Sequence, residues 1–269
     1  MKNTIEIIAS YAFLTGATAV FGMETAAGGC FAQSGATRTP VIELYTSEGC
    51  SSCPPADKWL STLKTAGAGK AAAQSVVQPV VQAFHVGYWD YIGWVDRFAS
   101  PANTARQRQI ASFNRQSSIY TPQAVLDGRD WRDWGRVPSA NEPPGAAISL
   151  KQVGPDHFEA VVTPLGTVQD GPGGTAGSGG SGVWSAYWSV TEHGHSSKVK
   201  AGENAGELLQ HDFVVRQYTP VGNYRSDAKA PQKLTWRSIA ATPGHARQIN
   251  LVVFDPRSGR PLQAVSVGC

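Results

Sequence analysis

The residues with the clearest capacity for chemistry are two cysteines separated by two serines, Cys50-Ser51-Ser52-Cys53. An apolar run at residues 41–45 precedes the motif, and Pro54-Pro55 follows it, so we predict a strand, a tight turn and a helix N-terminus. The unpaired N–H groups of a helix N-terminus favour a thiolate, and the second thiol lies one turn along, where it can close on the first. This arrangement suits thiol–disulfide exchange.

A Cys-x-x-Cys motif is also compatible with metal binding or with a purely structural disulfide. Zinc sites usually need a second Cys or His pair at ligand spacing, but the six histidines are scattered at positions 85, 157, 193, 195, 211 and 245. Two thiolates and the imidazole of His85 would select copper(I) or zinc. Three hypotheses stay open. The first is an oxidoreductase, and the second is a copper or zinc carrier that uses Cys50, Cys53 and His85. The third is a non-catalytic binding module in which the disulfide only stabilises a loop.

In the leading hypothesis, Cys50 is the attacking thiolate and Cys53 is the resolving thiol, and this chemistry implies no cofactor and no metal. We expect Cys50 to be the exposed sulfur and Cys53 the shielded one. His85 lies near the end of a predicted strand, where it could approach Cys50 and assist proton transfer; alternatively, it only fixes a loop. Glu48 precedes the motif by two residues, and its charge should oppose thiolate formation.

The composition indicates a globular chain of low charge. Its 269 residues are 41% hydrophobic and 16% charged, and the net charge is +3. This charge is too small and too scattered to indicate nucleic-acid binding. The length is sufficient for two domains.

The N-terminal residues are typical of an export signal. Lys2 precedes a mostly apolar stretch at residues 5–22, and small residues follow. The apolar stretch is too short and too interrupted for a stable membrane span. We therefore expect residues 1–38 to be an export signal and a disordered tail, and the protein to be periplasmic or secreted, where disulfides are permitted.

The four cysteines allow three pairings. We expect Cys50 to pair with Cys53, Cys30 to be removed or to lie near the N-terminal end, and Cys269 to be exposed at the C-terminus.

The chain changes character near residue 139. Before it, apolar runs predict buried strands, residues 54–63 a helix, Ser100-Pro101 a capped second helix, and Asp127-Gly128 a hairpin turn. We therefore predict an α/β domain over residues 39–138.

After residue 139, apolar residues alternate in short runs, which is typical of antiparallel strands. We predict a β-sandwich-like domain over residues 139–269, with a flexible Gly-rich loop at 166–182. The run 202–206 predicts a turn whose Glu203 and Asn204 could contact the first domain.

Six segments carry a resemblance to a known family. They are ELYTSEGCSSCPPAD (43–57), FHVGYWDYIGW (84–94), FASP (98–101), TARQR (104–108), YTPQ (120–123) and GENAG (202–206). On these segments the chain resembles exported bacterial thioredoxin-like proteins catalogued only as a domain of unknown function, number 1223. The resemblance implies a thioredoxin-like α/β domain followed by a small antiparallel all-β, sandwich-like domain. It supplies no substrate.

The resemblance also implies a role for Thr121-Pro122. Thioredoxin-like folds place a cis-proline beside the Cys-x-x-Cys motif, and the residue before it presents its backbone to an extended substrate. We therefore expect Thr121 and Pro122 to bind substrate, and we place Trp89 at the rim of the same site. Arg106 and Arg108 are expected on a solvated helix face. The expected partners are protein thiols or disulfides, with no nucleic acid.

Overall fold

The computed structural model describes residues 29–66, 77–134, 137, 141–165, 182–225 and 230–269. The predicted export signal up to residue 28 and residues 166–181 of the predicted Gly-rich loop lie outside this part. The strands of the described part are β1 Phe31–Gln33, β2 Val41–Thr46, β3 Val80–His85, β4 Gln123–Leu126, β5 Arg129–Asp130, β6 Ala146–Gly154, β7 His157–Pro164, β8 Val183–Glu192, β9 His195–Lys198, β10 Leu208–His211, β11 Val214–Arg225, β12 Gln232–Arg237, β13 Arg247–Phe254 and β14 Pro261–Gly268. The helices are α1 Pro54–Ala66, α2 Pro101–Phe113 and a 3-10 helix at Asp90–Ile92.

One mixed sheet of eight strands joins the two halves of the chain. Its order is β14-β13-β8-β11-β3-β2-β4-β5. Strands β2 and β3 are parallel. Strand β11 pairs with the other edge of β3, also in parallel, with Val214 opposite Ala83. The other neighbours in this sheet are antiparallel.

This sheet overturns the predicted fold class. The molecule is mostly β, with two α-helices in the described part, and not a thioredoxin-like α/β domain followed by a small separate β domain. Strands from beyond residue 139 continue the sheet of the first half. The physical reason is that β3 would otherwise present an open edge of N–H and C=O groups, and β11 supplies the partner strand.

A second sheet covers one face of the first. It contains β1-β6-β7-β12 in that order, and all its pairs are antiparallel. Its inward apolar residues share a buried core with those of β8, β13 and β14, including Trp188 stacked on Trp236 at 5.3 Å between ring centroids. Strand β1 falls within residues 1–38, which we assigned to a signal and tail.

A disulfide joins the two ends of the described part of the chain. Cys30 pairs with Cys269 across 239 positions, with 5.6 Å between their Cα atoms. Cys269 is exposed at the C-terminus, as expected, but the sequence analysis did not predict its pairing with Cys30.

Local capping and turn signals place the elements near the motif as predicted. Ser100 caps α2, because its side chain accepts a hydrogen bond from the N–H of Asn103 at 3.2 Å, and Pro101 is the first helical residue. Asp127 and Gly128 both have positive φ, at 51° and 77°, as a two-residue hairpin turn requires.

The burial of Arg106 contradicts the expectation of a solvated helix face. Arg106 lies on the buried side of α2 and pairs with Glu43 of β2 at 2.7 Å, whereas Arg108 is exposed. Because β2 is buried along its whole length, the charge of Glu43 needs a partner from the helix that covers it.

Candidate active site around the Cys50–Cys53 disulfide

The Cys50–Cys53 disulfide closes a tight turn between β2 and α1. The N–H of Cys53 donates to the carbonyl of Cys50 at 3.1 Å. Ser51 and Ser52 are exposed, but Cys50 and Cys53 are only 1% and 0% exposed. The expectation of an exposed Cys50 is therefore wrong for this disulfide state, in which the two serines form the exposed part of the turn.

A loop from the second half of the chain holds this turn in place. We call residues 199–207, between β9 and β10, the clamp loop. Its Asn204 is buried, and the side-chain amide donates to the carbonyls of Glu48 and Cys50 at 2.9 and 3.0 Å. The exposed carboxylate of Glu203 accepts a hydrogen bond from the N–H of Ser51 at 2.9 Å. The predicted contact of these two residues with the first half is confirmed.

Behind the turn lies a buried cluster of five titratable side chains: Glu48, Asp57, His85, Asp96 and His211. His85 Nδ1 lies 2.7 Å from Asp96 Oδ2, which also accepts the N–H of Glu48 at 2.9 Å. Glu48 Oε1 lies 3.2 Å from His211 Nε2. His85 is therefore connected to the residue two positions before Cys50.

Asp57 connects this cluster with the cysteines. Its N–H donates to the carbonyl of Cys53 at 3.1 Å, a helical i to i−4 bond that places the two side chains on one face of α1. Its Oδ2 accepts from the hydroxyl of Thr46 at 3.0 Å and lies 4.0 Å from His211 Nδ1. The rings of His85 and His211 are 4.8 Å apart.

Two imidazole nitrogens of the cluster have no hydrogen-bond partner among the described residues. They are His85 Nε2 and His211 Nδ1, and both side chains are buried. A buried polar atom without a partner costs about 1–3 kcal/mol. These nitrogens are free of hydrogen bonds to the other described side chains.

The pKa values of the cluster follow from burial opposed by close charge partners. Burial raises the pKa of Asp57, and the two histidines offset only part of that rise. Burial lowers the pKa of His85, but Asp96 and the other carboxylates outweigh it, so the net direction is upward. Burial raises the pKa of Asp96 and Glu48, but hydrogen bonds and the adjacent histidines bring both below their usual values.

The predicted substrate-binding residues lie together beside the motif. Trp89 Nε1 donates to the hydroxyl of Thr121 at 2.7 Å, and the Thr121–Pro122 peptide is cis. Trp89 also packs on the motif, because a Cβ added to Gly49 would lie 2.9 Å from the Cβ of Trp89. The structure thus brings Trp89, Thr121 and Pro122 to one side of the turn.

An aromatic pocket of about 350 Å³ opens next to Pro122. It is lined by Tyr120, Pro122, Ala124, Trp131, Arg132 and Trp134. Trp59 of α1 contacts the rings of Trp131 and Trp134, with centroids at 5.6 and 4.9 Å. Trp131 and Trp134 were not predicted as site residues; their spacing of three residues in a polar segment was the available signal.

The three residues of the metal-carrier alternative have other partners in this structure. No three His, Cys, Asp or Glu side chains within the described ranges are arranged to hold a metal ion. His85 uses Nδ1 on Asp96, and the two cysteines are joined to each other.

The fold and the site define a β-rich protein with a short Cys-Ser-Ser-Cys disulfide ring at a helix N-terminus, backed by buried acids and histidines. The chain belongs to the family described as Protein of unknown function (DUF1223), whose model matches residues 41–254. No curated protein matches the chain. No helix in the described ranges is long and apolar enough to cross a membrane.

Two solved structures are similar to the chain. One is the crystal structure of a protein from Agrobacterium tumefaciens, at 24% identity and a TM-score of 0.58, covering 86% of this chain and 94% of that chain. The other is HBP35 of Porphyromonas gingivalis, at 12% identity and a TM-score of 0.52, covering 87% of this chain and 76% of that chain. At these identities the likeness concerns the fold alone.

Proposed function

We propose that this protein is a thiol–disulfide oxidoreductase that uses the Cys50–Cys53 pair. The observation that carries the proposal is the contrast between its two disulfides. Cys50–Cys53 spans 3 positions and Cys30–Cys269 spans 239. Loop-closure entropy assigns about 1.6 kcal/mol of stabilisation to the first and about 5.5 kcal/mol to the second. A disulfide that stabilises the fold so little is suited to being opened and closed.

In the reducing direction, the Cys50 thiolate attacks one sulfur of a substrate disulfide. A mixed disulfide forms and the other substrate sulfur leaves as a thiolate. Cys53 then attacks Cys50, which closes the ring and releases the second substrate thiolate. Two electrons pass to the substrate, and its two thiolates take up protons. In this scheme Asp57 accepts the proton that Cys53 loses, a role supported by its position one helical turn after Cys53 and by His211 4.0 Å from its carboxylate.

The substrate binds on the side that carries Trp89, Thr121 and Pro122. The pocket beside Pro122 accepts an apolar side chain of the substrate, because Tyr120, Trp131 and Trp134 line it. The partners of this chemistry are protein thiols or disulfides.

The protein acts in an oxidising compartment, periplasmic or secreted. Two disulfides in one chain are compatible with such a compartment, and the residues before 29 are typical of an export signal.

A non-catalytic binding module with a structural Cys50–Cys53 disulfide is the second candidate. The burial of both cysteines favours it, because an inert disulfide is a shielded one.

Insulin reduction by dithiothreitol tests the proposal. We expect the wild-type protein to shorten the time to turbidity, and Cys50→Ser and Cys53→Ser to give the rate of dithiothreitol alone. The double variant Cys30→Ala/Cys269→Ala is the matched control and should keep the activity if it folds. Equal rates for wild type and Cys50→Ser would exclude the oxidoreductase and leave the binding module.

A further inference from the structure

Glu203 places a fixed negative charge beside the proposed reacting pair. Its carboxylate Oε2 accepts the N–H of Ser51 at 2.9 Å, so it lies one residue from Cys50. The side chain is exposed and comes from the clamp loop, whose Asn204 is anchored to the carbonyls of Glu48 and Cys50. The hydrogen bonds from Ser51 lower the pKa of Glu203, so the carboxylate is ionised at neutral pH.

The buried cluster does not cancel this charge. It contains three carboxylates and two imidazoles, and the pKa values of Glu48 and Asp96 are lowered. With those two ionised, protonation of both His85 and His211 brings the cluster at most to neutrality. The field at the turn from these six groups is therefore negative.

Four basic side chains around the turn are paired or directed elsewhere, and Lys200 is exposed in the clamp loop, three residues before Glu203. Arg97 is bonded to Ser196 and Ser197, and Lys64 pairs with Asp212 at 2.8 Å. Lys58 is exposed on α1, but it lies five residues after Cys53 and so on a different helical face. Arg132, across the substrate side, pairs with Asp130 at 3.3 Å.

We infer that Glu203 is a specificity-determining residue of the exchange site, and that it selects cationic substrates: disulfides or thiols flanked by Lys or Arg. This inference rests on the proposed function. A substrate sulfur must approach the turn past Ser51 and Ser52, so its flanking charges come within a few ångströms of the carboxylate. At such distances the Coulomb energy between exposed unit charges changes a rate about two- to fivefold.

Exchange rates with three small disulfides of different charge test this inference. The probes are cystamine (cationic), hydroxyethyl disulfide (neutral) and dithiodiglycolate (anionic), each reacted with reduced protein at about 0.01 M ionic strength, where screening is weak. Because the probes differ in intrinsic reactivity, the quantity compared is the cystamine-to-dithiodiglycolate rate ratio of a variant against that of the wild type.

Glu203→Gln keeps an oxygen for the Ser51 N–H but removes the charge. We expect its ratio to fall at least threefold, and the wild-type ratio to fall as salt is raised to about 1 M. Glu207→Gln, an exposed glutamate at the end of the same loop, is the matched control and should keep the wild-type ratio.

The outcomes separate this inference from the function on which it rests. An unchanged ratio in Glu203→Gln, with normal rates, would overturn the selection of cations and leave the oxidoreductase intact. Equal loss of all three rates would show that Glu203 only supports the turn. Absence of exchange with every probe in the wild type would reject the oxidoreductase itself.

Discussion

At the scale of single residues, the neighbours of His85 determine its pKa. His85 is fully buried, lies 2.7 Å from Asp96, and belongs to the buried cluster with His211, Asp57 and Glu48. Its pKa is raised because these carboxylates outweigh burial. Proton transfer and loop fixation were the two roles expected for His85, and the contact of Nδ1 with Asp96 together with the unpartnered Nε2 is compatible with both.

The raised pKa of His85 predicts how stability depends on pH. The folded state holds the proton more tightly than the unfolded state, so this stabilisation is complete below about pH 6.5 and is lost as pH rises through the folded pKa. We expect the free energy of unfolding of His85→Gln to fall less than that of the wild type between about pH 6 and about pH 8.5. Urea unfolding at several pH values measures this.

The control for this series is His157→Gln, on β7 and outside the buried cluster. The free energy of unfolding of this variant should change with pH by the same amount as that of the wild type. Parallel curves for His85→Gln and the wild type would mean that His85 does not gain a proton in this window on folding.

At the scale of elements, the ion pair between α2 and β2 sets how the helix packs on the sheet. Arg106 Nη2 lies 2.7 Å from Glu43 Oε1, and its guanidinium lies over the ring of Tyr187 at 4.8 Å. Glu43 also accepts hydrogen bonds from the hydroxyls of Tyr45 and Tyr187. The pair thus connects α2 with strands from both halves of the chain.

Replacing Arg106 by Met should destabilise the protein by about 3–5 kcal/mol, because Glu43 is left as an uncompensated buried charge. The double variant Glu43→Gln/Arg106→Met removes that charge and should recover part of the loss. Arg108→Met, on the exposed side of the same helix, should change stability by less than about 0.5 kcal/mol. Chemical denaturation measures all three. A loss of the same size for Arg106→Met and Arg108→Met would contradict the assigned ion pair.

Elements were predictable where their signals are local. The Ser100 cap, the Asp127-Gly128 turn and the start of α1 after Cys53 depend on residues within a few positions, so the sequence carries them directly. The burial of Arg106 was not predictable in this way. It depends on which face of α2 meets β2, whose Glu43 is 63 residues away in the chain.

The candidate site was likewise predictable only in part. The motif and the group of Trp89, Thr121 and Pro122 were identified from the sequence and from the family resemblance. The roles of Asp57, Asp96 and His211 were not, because isolated acids and histidines have no recognisable spacing until the sheet order places β10 and the segment after β3 behind the turn.

At the scale of the whole molecule, the position of β11 beside β3 decides the architecture. A strand pairing of this kind has no sequence signal, since either half of the chain could have closed its own sheet. The alternating patterns after residue 139 predicted strands correctly, but they did not say which sheet those strands join.

The two disulfides should contribute unequally to stability. From loop length, we expect Cys30→Ala/Cys269→Ala to lower the free energy of unfolding by about 4 kcal/mol more than Cys50→Ala/Cys53→Ala. Equilibrium unfolding in guanidinium without reductant measures the difference. The opposite order would favour a structural role for Cys50–Cys53 and weaken the proposed oxidoreductase.

The clamp loop also has a consequence for the order of events during synthesis. The hydrogen bond from Asn204 to the Cys50 carbonyl spans 154 positions, which is a contact of very high sequence separation. A growing chain therefore carries the complete Cys-Ser-Ser-Cys motif long before the residues that cover it emerge. During that interval the pair is open to the oxidants and thiols of its surroundings, and Glu203 and Asn204 reach it only after about three quarters of the 269 residues have been made.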